Sequence, residues 1–164
     1  MKIRAASAKT DYDKIWDIFQ QIISTGDTYV FAPDTAKACL QQYWFADYMQ
    51  TFVAIENDEI LGTYIIKPNQ IDLGNHIANC SYMVAPSHQR RGIGKLLCQH
   101  SLNFAREAGY SAIQFNIVVS TNIAAIKLWQ KFGFEIIGIT PQAFRHQELG
   151  LVDTYIMFKD LRKN

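Results

Sequence analysis

The stretch SHQRRGIGKLL (Ser87–Leu97) runs two arginines into two glycines one residue apart, and then into an apolar helical pattern. A helix N-terminus carries unpaired amides and about half a positive charge. Glycines there let a ligand approach the backbone, and arginines add charge, so the spacing describes a phosphate or pyrophosphate cradle. A solvated basic turn is the plainer alternative. Two other phosphate loops are excluded by spelling. A P-loop needs Gly at 89 and Ser or Thr at 96, where Gln89 and Leu96 stand, and a dinucleotide fingerprint needs a small residue at 97, where Leu97 stands.

Upstream of this loop, HIANCSYMVAP (His76–Pro86) reads as a strand, preceded by TFVAIE (Thr51–Glu56) and ILGTYIIKP (Ile60–Pro68) around a short NDE turn. Lys2–Ser7 reads as a first strand. Asp11 offers an N-cap to a helix carrying Ile15, Ile18, Phe19, Ile22 and Ile23, and Asp34 or Thr35 caps a second helix through about Asp47. Downstream, a helix places Ile93, Leu96, Leu97, Phe104, Ala105 and Ala108 on one face and ends at Gly109. SAIQFNIVV (Ser111–Val119) is apolar enough to suggest a strand buried on both faces. Thr121 or Asn122 caps a helix that Gly133 ends, and FEIIGIT and VDTYIMFK close the chain with strands. The order β-α-α-β-β-β-α-β-α-β-β implies an α/β fold with a mixed sheet and helices on both faces.

At 164 residues, 49% of them apolar, the chain is expected to form one domain, 1–164, with a substantial core. A net charge of +1 gives no electrostatic case for nucleic acid or an anionic membrane. The N-terminus lacks an apolar secretory region, and Cys39, Cys80 and Cys98 form neither C-x-x-C nor a metal-spaced cluster. A cytoplasmic setting, no metal, and cysteines acting as small hydrophobes are the expectation.

Val84–Leu97, V-x-P-x-x-Q-R-R-G-I-G-K-L-L, resembles the acyl-CoA signature Q/R-x-x-G-x-G/A of the GNAT superfamily of N-acetyltransferases, and NIAAIKLWQKFGF (Asn122–Phe134) resembles its second hallmark. The resemblance implies a mostly antiparallel sheet of about seven strands and acetyl-CoA as cofactor. It assigns pantetheine to the backbone of Met83 and Val84, the pyrophosphate to Gln89, Arg90, Arg91, Gly92, Ile93, Gly94 and Lys95, and a cofactor-facing stripe to Asn122, Ala125 and Trp129. The Val84 amide is the expected oxyanion donor. The family pattern breaks at two places. Trp129 replaces the usual tyrosine acid, and the usual glutamate base is absent, leaving His76, Asn79, Cys80, Ser81 and Tyr82 in its strand.

Thr28–Tyr29, Tyr43–Phe45, Leu61–Asn69, Phe115–Asn122 and Trp129 further resemble the fungal acetyltransferases of azetidine-2-carboxylate, although the long N-terminal extension of those enzymes is lacking here. That resemblance implies that Asn79 and Asn116 bind substrate and take part in catalysis, and that the acceptor is a small-molecule amine, such as a cyclic imino acid. Tyr29, Phe31 and Tyr43 either line the acceptor pocket or pack a helix on the sheet. Arg145 and His146 read as solvated. Many relatives dimerise, which makes a homodimer an expectation. The competing readings are a protein N-terminal or lysine acetyltransferase and a non-catalytic acyl-CoA-binding module.

Overall fold

In the computed structural model, which describes residues 1–162, strand β1 (Lys2–Ala5) leads into helix α1 (Ala8–Ile23). Ser7, not Asp11, caps this helix, its hydroxyl accepting from the Lys9 amide. Asp11 lies a turn inside, where it accepts from the Ser7 amide at 2.8 Å and from both terminal nitrogens of Arg4 at 2.7 and 2.9 Å. An acid in the first turn satisfies orphan amides and faces the positive end of the helix, so its burial is tolerated. The second helix is shorter than its sequence suggests. A 3-10 turn (Lys37–Cys39) runs into α2 (Leu40–Trp44), and Phe45 leaves helical geometry at φ −135°. What fixes that end is tertiary: the buried Trp44 indole donates to Thr63 Oγ1 at 3.0 Å, and the Thr51 hydroxyl donates to the Trp44 carbonyl.

Strands β2 (Gln50–Glu56), β3 (Glu59–Pro68) and β4 (Ile77–Val84) follow, then α3 (Ile93–Glu107), β5 (Ala112–Val119), α4 (Ile123–Lys131), β6 (Glu135–His146) and β7 (Gly150–Asp160). They form one sheet of seven strands in the order β1-β2-β3-β4-β5-β7-β6, antiparallel except between β4 and β5. This is the mixed sheet that the element order implies, with the seven strands and mostly antiparallel pairing that the family resemblance implies. Alternating side chains give each face its own core. On one face, Phe52, Tyr64, Cys80 and Phe115 meet Leu97 and Leu102 of α3 and Trp129 of α4. On the other, Val53, Ile65 and Met83 meet Ile15 and Phe19 of α1 and Leu40 and Trp44 of α2.

The sheet parts at its centre. Strands β4 and β5 pair only at Ile77 with Ala112 and Ala78 with Ile113. Beyond that point a bulge between Phe115 and Val118 shifts the register of β5 against β7 and bends it away. The expectation that β5 is buried on both faces is therefore wrong: Asn116 is exposed and Ile117 is 50% exposed beside the opening. Among the described residues no helix is long and apolar enough to cross a membrane.

Candidate active site

The parting of β4 from β5 opens a cleft of about 890 Å³, floored by Cys80, Tyr82 and Phe115 and walled by the loop before α3 and by α4. Backbone direction follows from the antiparallel register. Tyr64 stands opposite Tyr82 and Gly62 opposite Val84, while the Ala85 amide donates to the Leu61 carbonyl. The Tyr82 amide and carbonyl both bond to the Tyr29 hydroxyl, on the side away from β3. Alternation then turns the backbone of Tyr82 and Val84 into the cleft and that of Met83 toward β3. Met83 is consequently not a backbone partner for a ligand, and its buried side chain belongs to the core beneath α1.

The loop carries its curvature in two residues, Arg90 at φ +63° and Gly92 at φ +80°. Gly92 is the N-cap of α3 and lines the cleft, and an added Cβ would find nothing within 4 Å, so the space over its backbone is open. A Cβ on Gly94 would meet Leu128 Cδ2 at 3.3 Å, where the α4 side chain reaches the start of α3. Gln89, Arg90, Ile93 and Lys95 line the cleft with these glycines, and Lys127 and Lys131 of α4 face it from the other wall. Among the described residues, no aspartate or glutamate lines it. Arg91 departs from the expectation. Its guanidinium pairs with Glu56 at the β2–β3 turn and lies 3.3 Å from His88 Nδ1, which aims it out of the cleft.

On α4, Asn122 caps the helix by accepting from the Ala125 amide at 3.2 Å, and Asn122, Ala125 and Trp129 all face the cleft. The Trp129 ring lies 4.8 Å from that of Tyr82 and 5.0 Å from that of Phe115, packed into the wall of the cleft. Beneath it sits an arrangement that no sequence pattern flagged. The Ser101 hydroxyl donates to the Cys98 carbonyl at 2.8 Å, so the Tyr82 hydroxyl, 2.7 Å away, must donate to Ser101. Burial raises the Tyr82 phenol far above its ordinary value and pushes the adjoining Cys80 thiol up to about 12. Both stay protonated at neutral pH, and neither serves as a base.

The opposite side of the parted strands is built from carboxamides. Asn79 Nδ2 donates to the Gln114 carbonyl at 2.9 Å, across the point where the strands separate. Gln114 Nε2 donates to Asn116 Oδ1 at 3.0 Å, and Asn116 Nδ2 donates to Asn69 Oδ1 at 2.7 Å. The two asparagines picked out in the sequence thus share one cluster, and the structure adds Asn69 and Gln114. Lys67, directly opposite Asn79 across β3–β4, is on the same face.

Of the three aromatics, only Tyr29 reaches the cleft. Phe31 stacks 4.7 Å from Tyr43 and 5.0 Å from Phe19, so Phe31 and Tyr43 resolve to the packing alternative. His146 Nδ1 accepts from the Glu148 and Leu149 amides of its own turn. His76 is exposed, and its carbonyl accepts from the Ser111 amide.

A helix N-terminus and several cations thus stand at one mouth of a parted sheet, with a polar cluster on its opposite face. The profile of the acetyltransferase (GNAT) family matches residues 13–134, and the chain belongs to that family. A GCN5-related N-acetyltransferase from Kribbella flavida is 37% identical and superposes with a TM-score of 0.91 over 97% of this chain and 96% of that one. The N-acetyltransferase aca1 of Schizosaccharomyces pombe is 41% identical over 100 residues, 59% of this chain and 47% of that protein, so the match spans about half the relative's length. The fold is also shared with yncA of Salmonella typhimurium, solved with its cofactor acetyl-CoA, at 22% identity and a TM-score of 0.84 over 100% and 95% of the two chains.

Proposed function

We propose that this chain transfers an acetyl group from acetyl-CoA to the amine of a small amino acid, a cyclic imino acid such as azetidine-2-carboxylate. One observation carries the reading: the two faces of the parted strands differ in chemistry. Where α3 meets α4 there are cations without carboxylates, suited to a polyphosphate. On the opposite face of the sheet, outside the lining of that cleft, stand the four carboxamides of Asn69, Asn79, Gln114 and Asn116, with Lys67 opposite Asn79 and no carboxylate among the residues they bond. A carboxylate-bearing acceptor finds N–H donors and a cation there, whereas a polyamine or aminoglycoside finds no counter-charge.

The fit to an acyl-CoA rests on the Cβ-free opening at Gly92 and on the donors around it. Amides from Gln89 to Lys95, with Arg90 and Lys95, would hold the pyrophosphate, and Asn122, Ala125 and Trp129 would flank the pantetheine. Bound acetyl-CoA supplies an activated acyl group as a thioester. The chain offers the Val84 amide to its carbonyl oxygen, as a donor turned into the cleft. Holding the acceptor on Asn79 and Asn116 contributes proximity. Tyr82 and Cys80 retain their protons, so the acceptor amine loses its proton to water at the exposed Asn116 side. A thiol of pKa ~8.5 departs without an acid, which accounts for a site that functions with Trp129.

Thiol release from acetyl-CoA, followed with L-azetidine-2-carboxylate beside spermidine, an aminoglycoside and short peptides, tests the reading. Turnover confined to the imino acid is expected. Turnover with peptides alone would overturn the acceptor and keep the enzyme. Cofactor binding without release by any amine would favour a binding module.

A further inference from the structure

We infer that Lys127 and Lys131 form a second anion subsite, one that reads the ribose 3′-phosphate and so selects coenzyme A over its 3′-dephospho form. The inference deepens the acetyl-CoA reading and rests on it. The observation is a surplus of charge. Arg90, Lys95, Lys127 and Lys131 all face the cleft, no carboxylate lines it, and none of the four takes part in an ion pair among the described residues. The whole chain carries only +1, so this concentration is local. Arg91 shows the contrast: one residue from Arg90, it is neutralised by Glu56 and turned out of the cleft.

The four cations fall into two groups on different walls. Arg90 and Lys95 flank the N-terminus of α3, where the loop amides and helix dipole already favour a diphosphate. Lys127 and Lys131 are one turn apart on α4, so their side chains project from one stripe. Leu128, between them in sequence, packs toward Gly94 and sets that stripe against the mouth of the loop. Coenzyme A has two anionic groups, a diphosphate and a phosphate monoester close by on the ribose. The loop answers the first. A pair of ammonium groups at the same mouth, with no acid between, answers the second, since a monoester dianion takes charge-assisted bonds from two lysines without needing a fixed fork.

The test is calorimetric titration with coenzyme A and with 3′-dephospho-coenzyme A. The wild-type chain is compared with Lys127→Ala/Lys131→Ala and with the charge-keeping Lys127→Arg/Lys131→Arg, and thermal unfolding checks that all three fold. The wild type should prefer coenzyme A by about tenfold or more, as expected for losing one charge-assisted contact or two. In the alanine variant coenzyme A should weaken to the level of the dephospho form, which itself changes little; the arginine variant should keep the preference. Equal loss for both ligands, or a preference that survives in the alanine variant, overturns the subsite while leaving the cofactor reading intact. Failure of the wild type to bind either ligand overturns the cofactor reading and the subsite together.

Discussion

The Tyr29 hydroxyl accepts from the Tyr82 amide at 3.0 Å and donates to the Tyr82 carbonyl, so one phenol occupies both backbone groups that this residue turns into the cleft. It fills the place of a missing strand partner and ties the loop after α1 to β4. An arm that pairs with β4 as an added strand must displace it at Tyr82.

Tyr29→Phe should therefore act in opposite directions on two equilibria. Without ligand, stability in urea should fall by about 1–2 kcal/mol, because two buried backbone groups lose their partner. Coenzyme A should bind more tightly, because nothing has to be displaced. Weaker binding in this variant would mean that the phenol holds the ligand instead of yielding to it.

Gly92→Val and Gly94→Ala separate conformation from crowding. At φ +80° a β-branched residue is strained, and its side chain would stand in the loop mouth, so Gly92→Val should lose coenzyme A binding. At Gly94 the added methyl meets the flexible end of Leu128, which can give way, and binding should fall much less. Titration of both variants checks the order.

Arg90→Ala should weaken coenzyme A, whereas Arg91→Ala should leave its affinity near wild type. The sequence puts the two arginines side by side, but only Arg90 lines the cleft, and Arg91 is held by Glu56.

The asparagines should part company in a stability assay. Asn79 bridges β4 and β5, so Asn79→Ala leaves the Gln114 carbonyl without its donor and should cost about 1 kcal/mol in addition to any kinetic effect. Asn116 is exposed, and Asn116→Ala should reduce turnover of the imino acid with the thermal midpoint unchanged.

The imidazole of His100 predicts a pH dependence. Burial holds it below its ordinary 6.5, against a weaker opposing pull from Glu107, and its Nδ1 lies 2.7 Å from the Tyr64 hydroxyl, whose own buried phenol stays protonated. The unfolded chain takes up the proton more readily, so this stability is fully present above 6.5 and is lost as pH falls through the lowered folded value. Thermal midpoints should drop as acid is added, and His100→Asn, which keeps an acceptor and cannot titrate, should flatten that drop.

Much of this was legible in the chain, for a physical reason. Gly92 and Asn122 occupy positions where backbone geometry restricts the residue type, and Gly94 one where a Cβ would crowd Leu128, so their spacing survives as spelling. Asn79 and Asn116 stood out because carboxamides inside apolar strands require partners. Other features left no such trace. The bulge at Phe115–Val118 is one extra residue in an apolar run, invisible without β7 alongside. Arg91 turns toward Glu56, 35 residues away, and Tyr29 toward Tyr82, 53 away. Long side chains at such separations are aimed by tertiary neighbours, not by local periodicity. The end of α2 was missed likewise, since Thr51 and Thr63 set it.

The two halves of the sheet, β1 to β4 and β5 with β7 and β6, are stitched at its centre by two residue pairings, the Ser111–His76 backbone bond and the side chains of Asn79 and Asn116. Beyond that seam, no ladder pairing joins β4 to β5 among the described residues. A pantetheine arm laid along β4 would brace the seam from within, so that the cofactor serves as building material as well as reagent. Amide hydrogen exchange should then slow most at the seam when coenzyme A binds, and recover when the spent cofactor leaves.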